Sequence, residues 1–567
     1  MPKILINETD KTTPGTPGSY DNFAVLITGF AGTASNSTSN GDPLVKADPN
    51  NAYEFKSAQA FRDTIGLVPP VMSKVTEEGS YQLKHYGNQM AYELLRSGFP
   101  IIYKSLGNFD KDYKNFEEVV TTLTSTSLWE PFKDKANYDF RFVTHGLLAS
   151  SGMPANTEIE LAEAKAQRDT VDKAIQALQD IADKAELKKE ELETDPDFEI
   201  SQYKIEEYLK IASDYTAFTD PATGKLYGTY DNAFEGTQAR SKELEQIINR
   251  ISKGYFTTDH LNQVNANIAN LAQYVTVENP TNKTVFGRGD CIALIELDER
   301  CYTTSKGDIT DPIDLIISGI NEMEDINNSN GKYCAMTVPS VTYQLPDNYT
   351  DFANNKTFPG AFHYLTCFIN SMRLGFAEWY ATAGYTRGVS NYKIDNTTVK
   401  LGEIAINALE PRNIIDSEKD KDPQFACNVI ANFRGSYYLW GNRTAHPLGK
   451  QGSLEAGDLV ASSFLNIRQL CITIKKQLYV ACRTFTFDPN SDALWVNFVN
   501  AIRPTLETMK ADQGIRDYKI LKVTTDTKAT LKAKISIIPI EAVEDFDLEV
   551  YLEDSFGETT STIYEIQ

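Results

Sequence analysis

Short, predominantly apolar runs recur along this chain, and the intervals between them leave room for helices. The first run, Phe23–Ile27, is followed by glycines at positions 29 and 32. The later runs are Pro100–Tyr103, Phe140–His145, Cys291–Glu296 and Tyr333–Val338. A short apolar run bounded by turn residues is typical of a buried strand. The segments with helical periodicity lie around Tyr81–Ser97, Ile313–Glu322 and Pro359–Met372, and the basic stretch Ser462–Lys534 is predicted to hold strands and one helix. This strand–helix–strand order predicts a multidomain α/β (α+β) protein.

A chain of 567 residues has room for several domains. We predict an N-terminal arm and linker at 1–20, the N-terminal part of an α/β core at 21–150, a helix-rich surface insertion at 151–285, a central α/β core at 286–410, a C-terminal domain at 411–545 and a C-terminal arm at 546–567. The N-terminus does not resemble a signal peptide, and no run of about 18 apolar residues occurs. We therefore expect a protein that is neither secreted by the general route nor inserted in a membrane.

The insertion differs from the rest in composition, being rich in Ala, Glu and Lys. Thr157 and Glu160 fit a capping box, and apolar residues recur at helical spacing after them. Further helices are predicted at Glu199–Ala212 and Gln238–Ile251. The segment is either a self-packed helical hairpin, which we favour, or a coiled coil that binds a partner.

The net charge of −23 argues against nucleic acid as the main partner, because phosphate binding needs a basic surface. The charge is unevenly distributed. Residues 468–534 hold twelve Lys and Arg against six Asp and Glu, whereas residues 541–567 hold nine acids and no base. Blocks of opposite sign can attract a neighbouring copy of the chain, although each block is equally explained as a solvated surface.

We predict no catalytic residue, no cofactor and no metal site. The seven cysteines are scattered without a C-x-x-C pair, which indicates buried, reduced thiols. Among the five histidines we expect no metal-binding pair on one helix face. His145 lies near Ser150 and Ser151, but no G-x-S-x-G elbow marks a nucleophile.

Four separate segments carry a recognisable combination of residues. They are Phe140–Gly146, Arg288–Ile295, a third segment with Trp379, Gly384, Arg387 and Gly388, and a fourth with Trp440, Gly441, Arg443 and Thr444. The fourth is followed by a helix start at Leu465–Arg468 and by Phe487–Asn490. In sequence and in order, these segments resemble contractile tail sheath proteins of bacteriophages. The resemblance extends from about Phe140 to Ile540, apart from the insertion.

The motif residues also have structural explanations. Trp440 offers a large face for burial, and Gly441 permits close backbone approach or an unusual dihedral beside it. Arg443 is suited to donate two hydrogen bonds to a carboxylate or to strand-end carbonyls, fixing the turn before the helix that contains Arg468. Arg387, beside Gly388, is expected to act similarly. We interpret these residues as groups that hold the fold rather than as ligand contacts.

The resemblance implies a structural subunit of a virion's contractile tail, assembled in the bacterial cytoplasm. Such subunits form a helical stack of hexameric rings around a tail tube, meet baseplate and terminator or neck proteins, and contract to drive the tube through the host envelope. They touch no nucleic acid directly.

The resemblance further implies that terminal arms add strands to sheets in neighbouring subunits. The residues predicted to exchange are Ile4, Leu5, Ile6, Thr562, Ile563, Tyr564 and Ile566, and the basic Lys475 and Lys476 are predicted to contact the tube. Two alternatives remain open. One is the sheath of a non-phage contractile injection machine or tailocin. The other is an α/β enzyme or adhesin, which the missing signal peptide and the missing catalytic constellation disfavour.

Overall fold

The computed structural model describes residues 23–32, 51–76, 79–148, 162–176, 218–219, 226–227, 230–253, 256–279, 282–298, 331–344, 357–397, 427–445, 461–524 and 530–540, with the single positions 179 and 542. The predicted terminal arms, the helices at Glu199–Ala212 and Ile313–Glu322 and the capping box at Thr157 lie outside the described residues.

A mixed sheet of eight strands forms the centre of the body. Its strands are β1 Val25–Gly29, β2 Ala52–Phe55, β3 Ile101–Ser105, β4 Phe142–Thr144, β5 Ile292–Ile295, β6 Cys334–Val338, β7 Asn428–Phe433 and β8 Ser436–Trp440. The spatial order is β8-β7-β6-β5-β4-β1-β3-β2. The strands from β7 to β3 are mutually parallel, and antiparallel β8 and β2 form the edges. Because inner parallel strands are buried on both faces, uninterrupted apolar runs suit them.

Helices and small hairpins surround this sheet. The helices are α1 Ala58–Thr64, α2 Gly87–Arg96, α3 Phe116–Thr124, α4 162–176, α5 Tyr230–Lys253, α6 Thr258–Ala272, α7 Gly360–Arg373, α8 Gly384–Arg387, α9 Leu465–Phe485 and α10 Asp492–Ala511. Short 3-10 helices occupy Thr126–Leu128, Glu130–Lys133, Gly331–Tyr333 and Ala461–Ser463.

The small sheets are the hairpins Val71–Thr76 with Gly79–Lys84, Phe218–Thr219 with Leu226–Tyr227, Val275–Asn279 with Asn282–Phe286, and Ile515–Val523 with Lys532–Pro539, and the three strands Val341–Tyr343, Thr357–Phe358 and Ile394–Thr397. We call Ile515–Val523 with Lys532–Pro539 the C-terminal hairpin. Together with α9 and α10 it forms what we call the C-terminal layer.

Two large apolar clusters lie on the opposite faces of the central sheet. On one face α3 and α6 pack through residues such as Val119 and Ile268, and on the other α2 and α7 pack through residues such as Met90 and Phe368. The predicted α/β class is therefore confirmed. Residues from the segments 21–150, 286–410 and 411–545 all contribute strands to the one sheet.

The apolar runs predicted as strands overlap β1 and β3 and contain β4, β5 and β6. Two local predictions were wrong. The segment Tyr81–Ser97 begins within the strand Gly79–Lys84, and its helix starts only at Gly87. The basic stretch Ser462–Lys534, predicted to hold strands and one helix, holds two long helices before its hairpin.

The described part of the insertion packs on itself. Val171 of α4 is fully buried against Leu244 of α5. The hydroxyl of Ser241 donates to Oδ1 of Asp172 at 2.7 Å. These contacts support the helical hairpin over the coiled coil for these two helices. No helix within the described ranges is both long and apolar enough to cross a bilayer.

Candidate functional site

Motif segments that are far apart in sequence meet where the edge of the central sheet joins the C-terminal layer. We call this place the signature junction and define it as residues 379–388, Asn428, 440–445 and 463–468. It contains the motif residues of the third and fourth segments, from Trp379 to Gly388 and from Trp440 to Thr444, with Arg468. Hydrogen bonds from side chains to backbone groups hold these segments in place.

Asn428, at the start of β7, joins three backbone segments. Its Nδ2 donates to the carbonyls of Met336 at 3.0 Å and Arg443 at 2.9 Å, and its Oδ1 accepts from the Arg443 amide at 2.8 Å. Gly441 lies directly against it with a φ of 149°, and a Cβ at that position would lie 2.9 Å from Oδ1 of Asn428. Close approach and an unusual dihedral therefore both require glycine here.

The first turn of α9 is capped from a loop 24 residues earlier. Phe464 precedes the helix and makes no side-chain cap hydrogen bond. Instead, the carbonyl of Asn442 accepts from the amide of Leu465 at 3.0 Å, and its Oδ1 accepts from the amide of Asn466 at 3.0 Å. Nδ2 of Asn442 then donates to Oδ1 of Asn466 at 2.8 Å. These bonds satisfy helix N–H groups that have no partner inside the helix.

Arg443 and Thr444 complete this connection. The Arg443 guanidinium lies over the ring of Phe464, 4.6 Å from its centroid, and the two residues form an isolated β-bridge. The Thr444 amide donates to the carbonyl of Ser463 at 2.9 Å, and the Thr444 hydroxyl donates to the carbonyl of Ser462 at 2.8 Å. The segment after β8 is thereby fixed to the residues that begin α9.

The third motif segment covers part of the edge strand. Gly384 has a φ of 79°, and the carbonyl of Gly388 accepts a hydrogen bond from the amide of Leu439 in β8 at 2.7 Å. A Cβ on Gly388 would lie 2.3 Å from the Leu439 carbonyl oxygen, so no larger residue fits. Nε of Arg387 donates to the carbonyl of Ala381 at 2.7 Å, which closes the segment on itself.

The two motif tryptophans lie on different sides of the junction. Trp379 is buried against the C-terminal layer, and its Nε1 donates to the carbonyl of Asp512 at 3.2 Å. Trp440 is half-buried, with its ring 4.8 Å from that of Phe433 and 5.3 Å from that of Tyr385. Trp379 therefore connects the body to the layer, whereas Trp440 belongs to an aromatic cluster at the sheet edge.

Three basic residues of α9 make contacts within the subunit, whereas Arg483 near its end is exposed. The Arg468 guanidinium stacks on Tyr333 at 4.3 Å from the ring centroid. Lys475 Nζ donates to the carbonyl of Gly289 at 2.9 Å. Lys476 is only 2% exposed and pairs with Asp139.

The prediction that Lys476 contacts a tube was wrong, because its ammonium group is buried. Lys475 is half-buried, and its contact with a tube stays a prediction. The strand-exchange residues Ile4, Leu5, Ile6, Thr562, Ile563, Tyr564 and Ile566 lie outside the described residues.

One histidine has a cysteine four residues later on the same helix, which the sequence analysis did not anticipate. His363 and Cys367 lie four residues apart in α7, with Nε2 and Sγ 3.4 Å apart, and the Tyr343 hydroxyl lies 2.8 Å from Nδ1. All three are fully buried. Burial lowers the pKa of His363 to about 3 and raises that of the Cys367 thiol, which is the reverse of what a thiolate–imidazolium pair needs. The group is part of the core.

Elsewhere in the described ranges, no cluster of three or more His, Cys, Asp and Glu is arranged to hold a metal ion. Within those ranges four cysteines are buried and two are half-buried, all of them free. The Arg288–Gly289–Asp290 segment is also internal, since Arg288 and Asp290 are buried and form an ion pair at 2.8 Å.

Comparison with protein-family models gives no match, and neither does comparison with curated proteins. Among solved structures, the chain is similar to a chain of "Cryo-EM Structure of an Extracellular Contractile Injection System, PVC sheath complex in contracted state", with a TM-score of 0.32 and 15% identity over 47% of this chain and 64% of that one. It is also similar to a chain of "Cryo-EM structure of the anti-feeding prophage (AFP) baseplate, 6-fold symmetrised", with a TM-score of 0.45 and 12% identity over 98% and 99% of the two chains. The chain thus spans less than two thirds of the first neighbour. Because neither TM-score reaches 0.5, neither similarity carries weight for function.

Proposed function

We propose that this chain is the structural subunit of a contractile sheath, which polymerises as stacked hexameric rings around a tail tube and contracts to drive the tube through a cell envelope. In this proposal it belongs to the tail of a virion, is assembled in the bacterial cytoplasm, and meets a tube protein, a baseplate and a terminator or neck protein. It does mechanical work and carries out no chemistry.

The observation that carries the proposal is the signature junction. Residues recognised as sheath-like from sequence come from segments about 60 positions apart, yet they converge on one buried connection. Their roles there are to cap α9, to close the sheet edge and to attach the C-terminal layer. A subunit that must transmit force between a sheet body and a peripheral layer requires such a rigid connection.

The C-terminal hairpin supports the proposed strand exchange. Within the described ranges it is a two-stranded sheet, so each of its strands has one edge with no strand beside it. A lone two-stranded hairpin gains stability from further strands, and an extended segment can add to an open edge through main-chain hydrogen bonds. The terminal arms of neighbouring subunits are the segments we assign to these edges.

Charge favours the same arrangement. Lys519, Lys532 and Lys534 lie on the exposed face of the hairpin, together with Leu521 and Ile538, which are 41% and 54% exposed. The C-terminal residues 541–567 carry nine acids and no base. A basic face with apolar side chains is complementary to an acidic strand with apolar residues such as those at 563 and 566.

Negative-stain electron microscopy of the purified protein tests the proposal. Striated hollow cylinders are expected. Discrete small particles at all protein and salt concentrations would contradict it.

A truncation tests the arms separately. Deleting residues 561–567 is expected to leave a folded monomer that no longer polymerises, because the exchanged strand is lost. Replacing Glu558, Thr559 and Thr560 by Gly and Ser is the matched control, since it keeps the strand and only changes its connector. Normal cylinders from the truncated protein would refute the role of the arm.

A further inference from the structure

Phe487, in the turn between α9 and α10, is the most exposed large apolar side chain of the described residues, with 84% of its surface accessible. Its φ is 76°, a conformation that bulky residues adopt only with strain. A strained residue of this kind persists only where the surrounding structure imposes it, and such residues are concentrated at functional sites. An exposed phenyl ring can also be buried in a partner without giving up packing contacts within its own subunit.

The turn holds Phe487 outward. The hydroxyl of Thr486 donates to the carbonyl of Cys482 at 2.9 Å, and the amide of Asp488 donates to the carbonyl of Phe485 at 3.2 Å. Both neighbours of Phe487 are therefore fixed to the end of α9. A ring presented by an ordered turn loses little conformational entropy when it binds.

A groove between α9 and α10 is shaped to receive such a ring. It encloses about 200 Å³ and extends to the end of α9. Its apolar walls are Ile474, Leu478, Ala481, Phe485, Ala501, Ile502 and Leu506, and Thr484 and Thr505 also line it. The two alanines leave the space open between the helices. Gln477 also lines the groove, and within the described part of the chain its buried Oε1 accepts no hydrogen bond. A buried acceptor without a donor is unfavourable, so an occupant that brings an N–H group would be stabilised.

We propose that the groove receives Phe487 of a second copy of this chain. Its own Phe487 points into solvent, whereas a copy of identical sequence supplies the matching ring. The ring would fill the apolar part, and a backbone N–H of the inserted turn would donate to Gln477. The ring and the groove lie close together on the molecule, since Phe485 lines the groove. The contact is therefore either reciprocal between two copies or repeated head to tail, and only the repeated form closes into a ring or extends as a helix. This proposal rests on the proposed function for its place in a sheath.

Disulfide trapping tests the contact directly. One preparation carries Phe487→Cys, a second carries Thr505→Cys in the groove, and the two are mixed and oxidised. We expect at least tenfold more disulfide-linked heterodimer than from Leu374→Cys mixed with Thr505→Cys, since Leu374 is similarly apolar and 56% exposed. Equal yields would overturn the proposal. Wild-type protein gives the background from Cys471 and Cys482, which are half-buried.

Sedimentation of substituted proteins provides the second measurement. Phe487→Ala is expected to weaken self-association at least tenfold, and Leu374→Ala to leave it unchanged. Phe487→Gly should weaken association equally while raising the melting temperature, because glycine relieves the strained φ; this excludes misfolding as the cause. Unaltered association of both Phe487 variants would refute the contact.

The two proposals fail differently. If wild-type protein forms no cylinders but its association depends on Phe487, the sheath function is wrong and the contact stands. If Phe487→Ala forms normal cylinders, the contact is wrong and the sheath function stands.

Discussion

The signature junction and the outer surface of the C-terminal layer lie next to each other and use their unusual residues in opposite ways. At the junction, Asn428, Asn442 and Arg443 are buried and their polar groups contact backbone and rings of the same chain. On the layer, Phe487 is exposed and strained. The difference teaches that the buried motif residues hold this subunit together, whereas its candidate contacts with other molecules are exposed side chains whose exposure the sequence does not indicate.

Acid is expected to have the largest effect on this comparison, because the buried histidines all lie in the body. Burial lowers the pKa of His85 to about 3, of His145 to about 4 and of His363 to about 3. Residues 461–540 contain no histidine. Since these pKa values lie below the ordinary 6.5, the unfolded chain binds more protons, and stability present above pH 6.5 is lost as pH falls towards 3. We expect a loss on the order of 5 kcal/mol between pH 7 and pH 4.

Urea unfolding followed by circular dichroism at several pH values measures this loss. Glu93 acts in the opposite direction, because burial raises its pKa to about 7 and its protonation favours the folded state. His363→Gln is the matched variant and should flatten the pH dependence. An unfolding midpoint that does not change from pH 7 to pH 4 would contradict the prediction.

Asn428→Ala should have the next largest effect, and it tests whether the junction is structural. It removes three buried hydrogen bonds and leaves their backbone partners unsatisfied, which should lower the free energy of unfolding by about 3 kcal/mol. Asn432→Ala in the same strand is the control, since Asn432 only accepts from Gly435 in an exposed turn. Urea denaturation compares them, and equal losses would show that the junction has no special role.

Trp379→Phe tests the attachment between the two regions. It keeps most of the buried aromatic surface and removes the hydrogen bond to Asp512, so a loss of about 1 kcal/mol is expected. Tyr380→Phe removes a hydroxyl that donates to the same carbonyl at 3.3 Å from an exposed position, and should be nearly neutral. Hydrogen exchange of α10 provides the readout, with faster exchange expected only in the Trp379 variant.

Phe487→Gly should have an effect as small as that of Trp379→Phe, and its sign is opposite to that at the junction. Glycine accepts a positive φ readily, so the isolated subunit should gain about 1 kcal/mol in stability. Thermal unfolding of dilute protein measures the gain. A loss of stability would mean that the exposed ring stabilises its own fold, and the contrast between junction and layer would disappear.

Much of the core was predictable because its determinants are local. The apolar runs became β1, β3, β4, β5 and β6, and a long helix begins at Leu465 as the motif indicated. The helix predicted over Tyr81–Ser97 was placed too early, because the hairpin strand Gly79–Lys84 overrides the local periodicity. Helical periodicity alone cannot detect a pairing partner elsewhere in the chain.

The candidate sites were less predictable because they depend on non-local contacts. Nothing in the sequence near Asn442 indicates that it caps α9, since the helix starts well after it and the capped residue lies 24 positions later. Lys476 has the sequence context of a surface charge, and only the fold brings Asp139, 337 residues earlier, beside it. Phe487 is distinguished in the sequence only as part of a family motif, and its exposure depends on how α9 and α10 pack.

The sequence by itself determined the α/β class, the approximate positions of the five inner strands β1, β3, β4, β5 and β6, and the need for glycine at position 441. These follow from hydrophobic periodicity and from backbone sterics, which act over a few residues. Only the tertiary structure decided which polar side chains are buried and which apolar ones remain exposed. Burial is a property of the packed whole, because each side chain's access to water depends on elements far from it in the chain.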